Sequence, residues 1–86
     1  MPDLKAPLLF VDDEPAFRAL MVERLSENGF EVTEAACGEK ALQLLEQVAF
    51  DVVITDLRMP GDIDGTQVIE TAIKRYPGII GIIITG

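Results

Sequence analysis

The chain has no histidine, no tryptophan and a single cysteine among its 86 residues. Without histidine it holds no imidazole general base and no phosphohistidine donor. One cysteine, Cys37, excludes an internal disulfide and is typical of a protein from a reducing compartment. Because Cys37 comes just before Gly38 and a helical pattern, we interpret it as a small filler residue and not as a reactive thiol.

Positive charge is also scarce. Seven lysines and arginines stand against fifteen aspartates and glutamates, which gives a net charge of −8. Binding to nucleic acid requires a basic face that neutralises phosphates, and docking on anionic membranes requires a basic patch. We therefore expect no nucleic-acid partner for this segment and no membrane partner. The acidic total fits a cation site, although a solubilising surface would give the same charge.

Long apolar runs are missing as well. No stretch approaches the ~18 apolar residues of a membrane span, and residues 1–7 lack the apolar core of a signal peptide. We expect a soluble, cytoplasmic protein. The length fits one small domain, residues 1–86.

What the chain does have is three apolar runs that each end in polar residues. Runs of this kind, rich in β-branched residues and without alternation, are typical of parallel strands buried on both faces. In open parallel sheets, binding sites form just beyond the carboxyl ends of the strands. The three transitions are from 8–11 to Asp12-Asp13-Glu14, from 51–55 to Asp56, and from 79–84 to Thr85-Gly86.

Helical spacing separates these runs. Pro15 suits a first helical turn, and Asn28-Gly29 should end that helix. A second helix opens at Gly38, and Thr66 is placed to cap a third. The third helix should bury one face, made of Ile69, Ala72, Ile73 and Tyr76, and end before Pro77-Gly78.

The alternation β-α-β-α-β-α-β predicts an α/β fold with a parallel sheet between helices on both faces. Residues 30–35 alternate with glutamates and suit an edge strand. Residues 79–84 form the most apolar strand, which belongs in the middle of a sheet. We therefore expect it to be covered, either by chain beyond Gly86 or by a partner.

Four motifs in this order resemble the receiver domain of bacterial two-component response regulators. They are residues 11–15 (VDDEP), residues 56–60 (DLRMP), Asp64-Gly65 and Thr85-Gly86. The resemblance implies a flavodoxin-like three-layer sandwich with strand order 2-1-3-4-5, of which this chain covers four strands and three helices. The family's fifth strand, its last two helices and its phosphoryl-binding lysine are not in the sequence. The spacing from Asp56 to Asp64-Gly65 is one residue longer than usual.

The resemblance also implies site roles. Asp56 would be the phosphoacceptor, Asp13 a direct Mg²⁺ ligand, and Asp12 a ligand through water. Asp56 and the backbone carbonyl of Arg58 would supply further metal ligands, and Thr85 would hydrogen-bond a phosphoryl oxygen. Glu14 is expected to face solvent or the start of the helix.

Physical chemistry agrees that a cation is needed. Three carboxylates at ~5 Å would repel one another by about 3 kcal/mol per pair at an effective dielectric near 20, and Mg²⁺ suits few carboxylates with waters and a phosphate oxygen. Taken singly, the residues have plainer readings. Asp12 and Asp13 could stabilise the N-terminus of the first helix through its dipole. Asp56 could be an ordinary turn residue, and Thr85 could be a β-branched residue at a strand end.

Three functions follow. A receiver, which is a signalling module and not an enzyme, would take phosphate from a sensor histidine kinase or phosphotransfer protein and act on an output domain or effector. A hydrolase of the haloacid-dehalogenase type would need a second carboxylate two residues after the nucleophile, where Arg58 stands. A phosphorylation-independent interaction module would associate, with itself or another chain, through residues 79–84.

Overall fold

The computed structural model describes residues 5–85 as four strands and three helices that alternate along the chain. The predicted element order is confirmed. Gly86 of the predicted Thr85-Gly86 pair lies outside the described residues. The elements are β1 (Ala6–Val11), α1 (Pro15–Glu27), β2 (Phe30–Ala35), α2 (Gly38–Gln47), β3 (Val52–Asp56), α3 (Gly65–Arg75) and β4 (Ile80–Ile84).

The strands form one parallel sheet in the order β2-β1-β3-β4. The apolar strands β1 and β3 lie in the centre, and β2 lies at an edge as its alternating pattern predicted. β4 forms the other edge, with Ile80 59% exposed and Ile82 44% exposed. Within residues 5–85 this strand therefore does not take the interior position that its composition predicted.

One face of the sheet is covered by α2 and α3. Side chains alternate along a strand, so Leu9 and Val11 of β1 and Val53 of β3 point to this face. They pack with Leu45 of α2 and Val68 of α3 into a fully buried cluster. This cluster is the main core of the domain.

The two helices on this face are also joined at their ends. The Tyr76 hydroxyl donates hydrogen bonds to the carbonyls of Leu45 at 3.0 Å and Val48 at 3.4 Å. Arg75 donates to the carbonyl of Glu46 at 3.2 Å. Because the last carbonyls of a helix have no partner within it, these bonds satisfy groups that α2 would otherwise leave open.

Within residues 5–85, α1 is the one helix that covers the opposite face. Leu8, Phe10 and Ile54 are buried there, and Met21 and Leu25 of α1 pack against them. No residue of α1 is fully buried, and the side chains of Phe17 and Leu20 are 37% and 47% exposed. One helix thus leaves much of this face open.

The helix ends correct one prediction and confirm another. Gly29 has a φ of +92°, which is the left-handed conformation predicted after α1. α3 is capped by Asp64 and not by Thr66: the Asp64 carboxylate accepts from the Gln67 N–H at 3.0 Å, and the Gln67 side chain accepts from the Asp64 N–H at 2.9 Å. This reciprocal pair satisfies two backbone donors, whereas Thr66 would satisfy one.

The buried face of α3 is also turned relative to the prediction. Val68 and Ala72 are fully buried, whereas Ile73 is 47% exposed. The helix begins at Gly65, two residues before the start that a cap at Thr66 would give, and it is rotated so that Val68 faces the sheet and Ile73 lies toward solvent. None of the helices in the described part of the chain is long and apolar enough to cross a membrane.

Candidate magnesium and phosphoryl site

The site lies where β1 and β3 end side by side. The register pairs Val11 with Thr55, so the next residues of the two strands, Asp12 and Asp56, are neighbours on one rim of the sheet. Carboxylate oxygens of Asp12, Asp13 and Asp56 all lie within 4.8 Å of one another. The predicted meeting of these three side chains is therefore found.

Asp12 is the buried member of the cluster, with 5% of its surface exposed. Its Oδ1 accepts a hydrogen bond from the Glu14 N–H at 2.8 Å. Burial raises the pKa of the Asp12 carboxyl above its ordinary value, and the charges of Asp56 and Asp13 raise it further. The Glu14 N–H and the Arg18 guanidinium act in the opposite direction and do not cancel the rise.

Arg18 fixes the backbone of this corner. Its Nη1 donates to the carbonyl of Asp12 at 2.7 Å, and its Nε donates to Glu34 at the end of β2 at 2.9 Å. The Asp12 N–H in turn donates to the Ala35 carbonyl at 3.1 Å. Three elements therefore hold the main chain that carries the buried carboxylate.

The donor set fits Mg²⁺. At a metal–oxygen distance of about 2.1 Å, octahedral ligands lie roughly 3.0 Å apart when adjacent and 4.2 Å apart when opposite. Oxygens within 4.8 Å span this range and leave room for one carboxylate to bind through water. Burial is the main cause of the raised pKa of Asp12, and the charges of Asp56 and Asp13, which a cation would neutralise, add to it.

Two cavities open on this rim, and Asp56 lines both. The first, of about 170 Å³, is bounded by Asp56, Leu57, Arg58 and Thr85, so the predicted phosphoryl contact Thr85 does lie beside Asp56. The second, of about 300 Å³, is bounded by the acidic cluster with Glu14, Phe17 and Ile84. Glu14 caps α1 by accepting from the Ala16 N–H at 3.0 Å, which agrees with its expected place at the helix start.

The longer loop after Asp56 folds against the start of α2. Gly61 has a φ of +101°, and the Asp62 N–H donates to the Glu39 carboxylate at 3.2 Å. A Cβ on the buried Gly38 would lie 2.6 Å from side-chain atoms of Ile63. The outer part of the loop is thus held against the start of α2.

Comparison with known proteins agrees with this geometry. The profile of the response regulator receiver domain family matches residues 8–86. The chain belongs to this family. This receiver domain is 40% identical over 80 residues to the transcriptional regulatory protein GlrR of Escherichia coli, with 93% of this chain and 18% of that protein covered.

Two solved structures are similar to the receiver domain. A response regulator receiver protein from Sinorhizobium medicae superposes with a TM-score of 0.92 at 32% identity, covering 95% of this chain and 67% of that one. The response regulator TrrA of Thermotoga maritima, solved in complex with Mg(2+)-BeF, superposes with a TM-score of 0.86 at 39% identity, covering 95% of this chain and 70% of that one. The flavodoxin-like three-layer fold is thereby confirmed, and the receiver domain spans less than a fifth of the length of GlrR.

Sequence reasoning missed several residues that hold the site. Asp64 and Gln67 stand at the spacing of a reciprocal helix cap, a signal that could have been used. The Arg18–Glu34 pair joins residues 16 apart, so no local pattern indicates it. Thr55 reads as an ordinary strand residue, although its buried hydroxyl donates to the Asp56 carbonyl.

Proposed function

We propose that this receiver domain accepts a phosphoryl group on Asp56 from a histidine kinase or phosphotransfer protein, with Mg²⁺ bound at the acidic cluster. The observation that carries the proposal is the convergence of the Asp12, Asp13 and Asp56 carboxylates within 4.8 Å at the strand ends. The Mg(2+)-BeF complex of TrrA, a relative at 39% identity, supports the choice of metal.

Each residue has a distinct part in this reaction. Asp13 and Asp56 would hold the metal through carboxylate oxygens, Asp12 through water, and Arg58 through its backbone carbonyl. When bound, Mg²⁺ supplies positive charge that offsets the negative charge of the transferring group. The other Asp56 oxygen attacks phosphorus, and the bond from phosphorus to the donor breaks with its electron pair leaving on the donor.

Thr85 would stabilise the product. It lines the same cavity as Asp56, and its hydroxyl can donate to a phosphoryl oxygen. A neutral donor at this place favours the phosphorylated state without adding charge to the metal site. The resulting change in the Thr85 segment would alter affinity for an output domain or effector, in the cytoplasm where kinase and receiver meet.

The test is acylphosphate labelling with a matched aspartate control. We expect the chain with Mg²⁺ and a small acyl phosphate to gain the mass of one phosphoryl group. Asp56→Asn should abolish the gain, whereas Asp51→Asn, which changes an exposed aspartate just before the other end of β3, should not.

Labelling that persists in Asp56→Asn would contradict the assignment of the phosphoacceptor. Labelling that stayed unchanged after chelation of Mg²⁺ would contradict the proposed role of the metal. Repeated turnover of an external phosphate ester would point to a hydrolase instead.

A second candidate is association through the free edge of β4. Ile80, Ile82 and Ile83 are 59%, 44% and 39% exposed there, and an apolar edge strand is a template for pairing with another chain. Ile82→Lys should abolish concentration-dependent association in sedimentation, whereas Ile73→Lys, at 47% exposure on α3, should not. If the wild type sediments as a monomer at high concentration, association through β4 is contradicted.

A further inference from the structure

Thr55 is an unusual residue in the core of the domain. It is fully buried, and within residues 5–85 Asp12 is the only other polar side chain that is buried. Thr55 precedes Asp56 in β3, and its hydroxyl donates a hydrogen bond to the Asp56 carbonyl at 2.9 Å. The buried hydroxyl thus acts on the main chain of the proposed phosphoacceptor.

Gly65 approaches the same peptide from α3. Its N–H donates at 2.8 Å to the Leu57 carbonyl, which belongs to the following peptide. A Cβ at Gly65 would clash with the Asp56 carbonyl oxygen and would lie 2.9 Å from the Leu57 Cα. Both neighbours are backbone atoms, so neither could move aside as a flexible side chain can.

A third contact completes the support. The Leu57 N–H donates to the Ile84 carbonyl of β4 at 3.0 Å. The peptide that joins Asp56 to Leu57 therefore accepts a bond from within β3, donates one to β4 and is closely approached by α3, which bonds to the next peptide. Its orientation sets the direction of the Asp56 side chain and the path of the chain to Arg58.

We propose that Thr55 and Gly65 are positioning residues of the phosphoacceptor site, which fix the Asp56–Leu57 peptide in the geometry that phosphoryl transfer and Mg²⁺ binding require. This inference rests on the proposed function. Metal ligands and nucleophiles depend on the groups that orient them: loss of such support costs about 10- to 100-fold in metal affinity, and a displacement of ~1 Å can cost about 100-fold in rate.

The competing explanation is purely structural. The Thr55 hydroxyl could have a partner only because a buried hydroxyl requires one, and Gly65 could be small only because α3 packs closely on β3. Substitutions would then lower the midpoint of thermal unfolding. They would leave Mg²⁺ affinity and labelling unchanged in the protein that stays folded.

The first comparison uses Thr55→Val and Thr55→Ser. Valine keeps the branched shape and removes the hydroxyl, so we expect the Mg²⁺ dissociation constant to rise and the labelling rate to fall, each by about three- to tenfold. Serine keeps the hydroxyl and should stay within about twofold of wild type. Thr33→Val, a partly buried threonine in β2, is the control for removing a strand hydroxyl elsewhere.

The second comparison uses Gly65→Ala and Gly78→Ala. An added Cβ at Gly78 meets nothing within 4 Å, so this variant should bind Mg²⁺ and accept phosphate as the wild type does. Gly65→Ala should lose about 10- to 100-fold in labelling rate.

All measurements are made well below the unfolding midpoint of each variant. Mg²⁺ binding is followed by the shifts of backbone amide signals.

The outcomes separate the two proposals. If the wild type is labelled and Thr55→Val and Gly65→Ala keep wild-type affinity and rate, the inference is wrong and the proposed function stands. If the wild type binds Mg²⁺ without being labelled, the proposed function fails. The Mg²⁺ dissociation constants of the variants, compared with that of the wild type, then still decide the inference. If Gly65→Ala does not fold, the difference between Thr55→Val and Thr55→Ser decides it.

Discussion

The two faces of the sheet differ in how completely they are covered. On the face under α2 and α3, Leu45 and Val68 are fully buried, and side chains at the end of α3 donate to backbone carbonyls at the end of α2. On the face under α1, Leu20 is 47% exposed and Ile82 is 44% exposed. A parallel sheet needs cover on both faces, so the difference indicates that stability in this chain resides mainly on the two-helix face.

The largest expected effect compares one residue type on the two faces. Leu45→Ala removes a fully buried side chain and should lower the free energy of unfolding by about 2–5 kcal/mol. A chain of this length has roughly 4–13 kcal/mol in total, so this variant should be close to unfolding. Leu20→Ala should cost less than about 1 kcal/mol, because that side chain is already half exposed.

Urea unfolding followed by circular dichroism measures both values. Equal losses for the two variants would contradict the proposed difference between the faces.

A smaller effect is expected from Tyr76→Phe. The variant keeps the ring and removes the hydroxyl that donates to the carbonyls of Leu45 and Val48. The loss should be about 1 kcal/mol, which is typical of one hydrogen bond exchanged with water. The same unfolding experiment tests it, and a value indistinguishable from wild type would mean that the end-to-end bonds between α2 and α3 contribute nothing to the two-helix face.

The smallest effect lies on the rim where the two faces meet, and it has the opposite sign. The pKa of Asp12 is raised in the folded state, so the folded protein binds a proton more tightly than the unfolded chain does. Ionised Asp12 therefore destabilises the metal-free fold above that pKa, and the destabilisation is relieved as the pH falls through it. Asp12→Asn should therefore raise the unfolding midpoint of the metal-free protein at neutral pH, by less than Tyr76→Phe lowers it.

Thermal unfolding with and without Mg²⁺ checks this expectation. The rise in the unfolding midpoint that Asp12→Asn causes should become smaller as the pH is lowered. Mg²⁺ should stabilise the wild type more than it stabilises Asp12→Asn. If this rise became larger as the pH was lowered, ionised Asp12 would not be destabilising the metal-free fold.

The sequence was sufficient to predict the fold and the carboxylates because both depend on local signals. Apolar runs mark the strands, and acidic residues at the carboxyl ends of β1 and β3 must meet where those strands pair in parallel. It was insufficient for contacts set by packing. Arg18 and Glu34 meet only because α1 crosses above β2, and the exposure of Ile73 depends on how α3 is rotated against the sheet.

The capping error has a similar origin. Asp64 and Thr66 are both good capping residues, and the choice between them depends on the reciprocal bond from Gln67. Thr55 could not be recognised as a supporting residue, since its importance depends on the path of the chain after Asp56. Residues that carry the chemistry were therefore easier to identify than those that hold them.

Helix α3 is attached at both of its ends. Its first residue, Gly65, bonds to the backbone beside Asp56, and Tyr76, just after its last turn, bonds to the end of α2. Eleven residues make a rod of about 16 Å, too stiff to absorb a displacement along its length. We therefore expect a displacement of Gly65 along the helix axis to be passed on to Tyr76 at the far rim, so that this tyrosine would report on events at the other end of the molecule.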